Sequence, residues 1–126
     1  FTNTLEHIIF GEDFDQEIDG NIPPTVKHLS FGGKIRRGYL EKIPNTVTHL
    51  SFTGTFNKNL NGLIPESVKH LTLSIYFHLS LFYVPKTVSH LTIYKSGNYI
   101  KSKDILKNAI RERVPRYIEN VEINII

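Results

Sequence analysis

The chain has 126 residues, 40% hydrophobic and 21% charged, an ordinary globular balance that suits one domain with a sizeable core. Cysteine is absent, which excludes disulfides, thiolate metal sites and thiol nucleophiles and fits a reducing, intracellular setting. The net charge of +3 is unevenly spread: residues 1–22 hold six acids and no Lys or Arg, while the segment from Lys95 onward holds seven bases and four acids.

Self-similarity organises the chain from its first residues. A partial copy, Thr4-Leu5-Glu6-His7-Ile8-Ile9-Phe10, precedes four fuller ones. These read Ile22-Pro23-Pro24-Thr25-Val26-Lys27-His28-Leu29-Ser30-Phe31 and Ile43-Pro44-Asn45-Thr46-Val47-Thr48-His49-Leu50-Ser51-Phe52. They continue as Ile64-Pro65-Glu66-Ser67-Val68-Lys69-His70-Leu71-Thr72-Leu73 and Val84-Pro85-Lys86-Thr87-Val88-Ser89-His90-Leu91-Thr92-Ile93. Aligned on Pro115, a diverged last copy runs from Val114 to Ile123, so that Val121 and Ile123 take the Leu and Phe columns. Successive prolines lie 21, 21, 20 and 30 residues apart.

Within each unit Val26, Leu29 and Phe31, and their counterparts, are apolar. Leu29-Ser30-Phe31 alternates with period two, which predicts a short strand with one buried face. A second apolar set follows along each turn: Phe14, Ile35, Phe56 and Phe77, then Ile18, Tyr39, Leu60 and Leu81. One unit buries too little by itself, so the copies must stack until these columns share one core. Proline after the last core residue of each turn fixes φ and forbids helix, and glycines mark the turns between. The fold expected is a β-rich, leucine-rich-repeat-like solenoid: a parallel sheet of about six short strands with a C-terminal helix and capping strand.

The 30-residue interval predicts that helix, followed by a final strand, Val121-Glu122-Ile123-Asn124-Ile125, that closes the stack. Ser102 can cap a helix over about 103–113, with Asp104 near its start. Ile105, Leu106, Ala109 and Ile110 fall on one face and Lys103, Lys107, Arg111 and Arg113 elsewhere. Two units are expected, repeats over 1–94 and a C-terminal cap over 95–126; a basic helix facing a membrane or nucleic acid is the competing reading of the latter. The start at Phe1 inside a repeat, with Met absent, predicts a processed chain or a fragment of a longer one.

The strand pattern resembles the opening of a leucine-rich repeat, and the fuller consensus resembles the FNIP repeat. Phe52-Thr53-Gly54-Thr55-Phe56-Asn57 through Ile64-Pro65-Glu66-Ser67-Val68 matches best, and Phe10-Gly11-Glu12-Asp13-Phe14-Asp15 through Ile18 nearly as well. The resemblance spans about residues 4–94. It implies an interaction module of the kind found in amoebae and in the large viruses that infect them, sometimes joined to an F-box, which this chain does not contain. A location in the cytoplasm, or in host cytoplasm or virion for a viral protein, follows from the same resemblance.

Five of the six histidines (His7, His28, His49, His70 and His90) occupy one repeat position, the third. The fifth position is Ser30, Ser51, Thr72 or Thr92, with Ile9 as the exception. Both positions point away from the core of a leucine-rich-like turn, so imidazoles and hydroxyls should form two stripes across strands about 4.8 Å apart. Three readings stand: a structural ladder of stacked rings, a partner-binding surface built on it, and a metal site, whose ligands would have to converge. Adjacent cationic rings would repel by roughly 1 kcal/mol even in water, so acid lability is expected.

No catalytic pattern is present: neither His-Glu-x-x-His nor Gly-x-Ser-x-Gly occurs, and no phosphate-cradling glycine loop opens a helix. Asp13-Phe14-Asp15-Gln16-Glu17-Ile18-Asp19 suggests calcium, but Ile18 and Pro24 stand where an EF-hand needs Gly and Glu, so a solvated acidic turn is the plainer reading. The expected protein is therefore non-catalytic, without metal or cofactor, and without a membrane partner. It should bind a protein of unspecified identity through the exposed strand face of His, Ser/Thr and Lys. The alternative is a structural component of a particle or filament that self-associates through the N-terminal edge, where the acid-rich first unit could meet a basic surface. Nucleic-acid binding through Lys95–Arg116 is the least supported, because beyond Tyr94, Tyr99 and Tyr117 no aromatic interleaves the bases.

Overall fold

The computed structural model describes residues 4–14, 22–33, 43–75, 77, 80–95, 102–118 and 121–126. In chain order it contains β1 (His7–Phe10), β2 (His28–Phe31), β3 (His49–Phe52), β4 (His70–Ser74), β5 (His90–Tyr94), α1 (Lys103–Arg113) and β6 (Glu122–Ile125). The six strands form one parallel sheet in sequence order, as stacked repeats must when each unit adds one strand. Register follows the repeat: His7, His28, His49, His70 and His90 are successive partners, and so are Leu29, Leu50, Leu71 and Leu91. The 20-residue interval from Pro65 to Pro85, one residue short, keeps that register, with His70 still paired to His90, so its deletion is absorbed between strands.

Inside the stack the apolar columns meet. Val26, Val47, Val68 and Val88 are buried, as are the Leu column and Phe31, Phe52, Leu73 and Ile93. Phe10, Phe31 and Phe52 stack ring on ring with centroids 5.2 and 5.5 Å apart. Phe56, Phe77, Leu60 and Leu81 line the far side of the same core. Ile18, Ile35 and Tyr39, expected beside them, lie outside the described residues, as do Asp15, Glu17 and Asp19 of the acidic turn.

Two backbone devices repeat with the columns. Each proline carbonyl closes a turn by accepting the N–H three residues on: Val26, Val47, Val68, Val88 and Ile118 donate to Pro23, Pro44, Pro65, Pro85 and Pro115. Within those turns, the hydroxyls of Thr25, Thr46, Ser67 and Thr87 donate to the carbonyls of Leu5, Val26, Val47 and Val68 in the preceding unit, at 2.6–3.3 Å. This hydroxyl ladder satisfies carbonyls that would otherwise be stranded where the strands begin. Gly54 is required by close approach: a Cβ there would collide with the carbonyl oxygen of Gly32 in the turn below.

The last unit departs from the proline alignment. His90 pairs with Glu122, Leu91 with Ile123 and Ile93 with Ile125, so the final strand sits two residues further along than Pro115 predicts. A shift of two keeps every side chain on its face, which is why Ile123 and Ile125 fill the core columns while Val121 and Ile118 are buried beside them. The helix forms with Ser102 as its N-cap, accepting from the Ile105 N–H at 3.2 Å. Its apolar stripe is narrower than expected. Leu106 and Ile110, four apart, are buried as α1 packs on β6, whereas Ile105 is 57% exposed and Ala109 is exposed. A helix resting on one strand buries one ridge, and among the described residues no second layer covers the other. Among the described residues, no helix is long and apolar enough to cross a membrane.

Candidate binding face

The side of the sheet opposite the core is built from the third and fifth repeat positions. Period-two alternation sends Leu and Phe inward and therefore His and Ser/Thr outward. In β2 and β3 the burial pattern is half-buried, buried, half-buried, buried along His-Leu-Ser-Phe. The five imidazoles form one continuous stack. Ring centroids from His7 to His90 are 4.1, 4.0, 4.1 and 4.4 Å apart, with interplanar angles of 5–19°. Beside them Ser30, Ser51, Thr72 and Thr92 are successive register partners, each half-buried. Ile9 interrupts that row at one end, 80% exposed, and Asn124 continues it at the other.

The ring nitrogens have specific neighbours. The Thr48 hydroxyl lies 2.9 Å from His49 Nδ1, and the Ser89 hydroxyl 2.9 Å from His90 Nδ1. His90 Nε2 lies 2.9 Å from the Glu122 carboxylate, which takes the histidine position on β6. Burial and the neighbouring imidazoles, in that order, hold His28 and His49 below the ordinary histidine value of 6.5, and His70 likewise. Carboxylates oppose this weakly, Glu6 at His28 and Glu122 at His70.

The face is not flat. A depression of about 200 Å³ lies over β1–β3, lined by His7, His28, His49, Ser30, Ser51 and Ile9. A larger cleft of about 500 Å³ opens at the strand ends, with Gly11, Glu12, Thr53, Gly54 and Tyr94 among its walls. Tyr94 and Glu122 escaped sequence reasoning as members of this side. The signal for Tyr94 was its place two residues after Thr92, but Glu122 was hidden by the two-residue register shift.

The stacked geometry decides what the row can do chemically. Parallel rings direct their nitrogens in parallel, so the lone pairs of neighbours do not converge on one point as metal ligands must. Among the described residues, no group of three or more His, Asp or Glu gathers as a metal would require. The hydroxyl–imidazole pairing recurs along the sheet rather than marking one strand.

A parallel sheet that grows by one strand per repeat, with a polar row outside and a leucine column within, defines a leucine-rich-repeat-like solenoid. The FNIP Repeat family model matches residues 1–34 and 40–76, and the chain belongs to that family. Among solved structures, CroV588, described as a novel circular LRR protein, shares the fold at a TM-score of 0.57 and 23% identity. The match covers 72% of this chain and 15% of that one, so this chain spans a small part of CroV588's length. No curated protein matches the sequence.

Proposed function

We propose that the chain is a non-catalytic interaction module that binds a protein partner, without a cofactor, through His7, His28, Ser30, His49, Ser51, His70, Thr72, His90 and Thr92. The observation that carries this reading is the alignment of like polar groups into two continuous rows on a sheet whose other side is consumed by the core. Such a face is ordered before any partner arrives, so docking on it costs little conformational entropy. Repeat solenoids supply extended surfaces of this kind, and FNIP and leucine-rich-like repeats are typically non-catalytic. In this reading residues 1–94 supply the face, and residues 95–126 seal one end of the core through Leu106, Ile110, Ile123 and Ile125.

The test is a capture experiment with two variants of equal stability. Ser51→Tyr, which fills the face without adding charge, should abolish recovery of the partner that the unaltered chain retains. Lys58→Ala, at an exposed position away from the strands, should leave recovery unchanged. Equal recovery by both variants would sink the reading. A second reading, self-association through β1, is favoured by the 80% exposure of Ile9. Sedimentation over a range of concentrations decides it, and a monomer throughout would dismiss it.

A further inference from the structure

The middle of the face carries a charge pattern that specifies the chemistry of its partner, an inference that rests on the docking reading above. The residues directly before the five histidines are Glu6, Lys27, Thr48, Lys69 and Ser89. They are in register, because the carbonyls of Glu6, Lys27, Thr48 and Lys69 each accept two N–H groups from the same two positions of the next unit. Lys27 and Lys69 are exposed and stand on either side of Thr48. Beside them His28, His49 and His70 stack. Three adjacent strands therefore present two ammonium groups and three imidazoles, with no carboxylate in either column. The carboxylates stand at the ends: Glu6 before β1, and Glu122 on β6 against His90.

Ring stacking limits what can dock there. The faces of His28, His49 and His70 are occupied by neighbouring rings 4.0–4.4 Å away, which leaves only ring edges for a partner. Ring edges donate hydrogen bonds to carboxylates. They offer no surface for a base to stack on, and base stacking is what sequence-tolerant nucleic-acid binding uses. Ser30, Ser51 and Thr72, alongside, add neutral hydroxyls suited to a peptide backbone.

We propose that Lys27, His28, Thr48, His49, Lys69 and His70 dock an acidic peptide segment of a protein partner, and that docking takes up protons, so that it tightens as pH falls. Without a partner, burial and the neighbouring imidazoles disfavour the charged forms of His28, His49 and His70. A carboxylate laid along the row opposes the repulsion between rings and favours their charged form. The complex then binds more protons than the free protein, and linkage requires affinity to rise as pH drops through the histidine range. The carboxylates that act on the row are Glu6 at His28 and Glu122 at His70 and His90, and the titratable neighbours at its ends are His7 and His90. The exposed Lys27 and Lys69, next to the row in the chain, supply the pH-independent part of the attraction.

Binding of a fluorescent hexaglutamate peptide to the full chain, read by anisotropy at constant ionic strength, tests this. Affinity should rise about tenfold between about pH 7.5 and about pH 6, the gain expected when about two-thirds of a proton is taken up on average over that range. Lys27→Ala with Lys69→Ala should weaken binding at both pH values. His28→Gln with His49→Gln should lose most of the rise in affinity between the two pH values. Circular dichroism at each pH confirms folding. Calorimetry at about pH 7 in two buffers of different ionisation enthalpy reads proton uptake within the stable range. Absent binding, zero proton uptake, or equal binding of an oligothymidylate would overturn the proposal. If Ser51→Tyr abolishes partner capture while hexaglutamate does not bind, the docking face stands and the acidic partner falls. If capture also survives Ser51→Tyr, both fall.

Discussion

Strands β2 to β5 of this solenoid carry two stacks of like side chains at one spacing, and the two behave differently because one is dry and the other wet. On the inner side, Leu29, Leu50, Leu71 and Leu91 lie in a column without access to solvent, flanked by stacked phenylalanines. On the outer side, His28, His49, His70 and His90 repeat with the same register, half in water. The inner stack gains with every added rung, since each removes apolar area from water, and it is indifferent to pH. The outer stack gains ring contact but forfeits protonation, since each added rung brings another potential charge within reach of the last. Identical repetition is thus a pure benefit inside and a conditional one outside.

The largest expected effect comes from breaking the inner column. Phe52→Ala removes a fully buried ring stacked on Phe31 and Phe56, and urea unfolding should show a loss of about 3–5 kcal/mol. A loss below about 1 kcal/mol would mean that the column is not the shared core described here. Next is Gly54→Ala, whose Cβ meets Gly32 backbone that cannot rotate away, with an expected cost of about 2 kcal/mol. Ser67→Ala, which deletes the 2.7 Å hydrogen bond to the Val47 carbonyl, should cost about 1 kcal/mol by the same measurement.

The smallest effect distinguishes the stacks most sharply. The folded state holds His28, His49 and His70 below the unfolded value of 6.5, so the unfolded chain binds protons first. Stability should be full above about pH 6.5, decline as pH falls through the folded values, and flatten below them. His49→Gln should make that decline shallower, while Leu50→Ala should lower the whole curve without changing its shape between pH 7.5 and 5.5 (about one pH unit either side of that value). Equal slopes in the unaltered chain and His49→Gln would show that the row does not carry the pH dependence.

Much of this was legible because a repeat writes its own alignment. The spacing of the prolines, the inward Val-x-x-Leu-x-Phe columns and the outward histidines required no tertiary information, since a period-two strand in a stacked unit has only one way to face its core. The Ser/Thr residues after each proline were equally visible as a column, yet their role was not. A hydroxyl that caps a carbonyl about 20 residues earlier becomes meaningful only once units lie side by side.

The sequence by itself determined the unit length, the strand within each unit, which face is buried, and the helix of residues 103–113. The tertiary structure alone decided the register of the last strand, because turn and strand are separate constraints and two intervening residues can slide without turning a side chain to the wrong face. It also decided how little of α1 is covered, how closely the imidazoles stack, and that Glu122 meets the end of their row. Those are distances between repeats, and a linear pattern specifies what recurs but not how near its copies come.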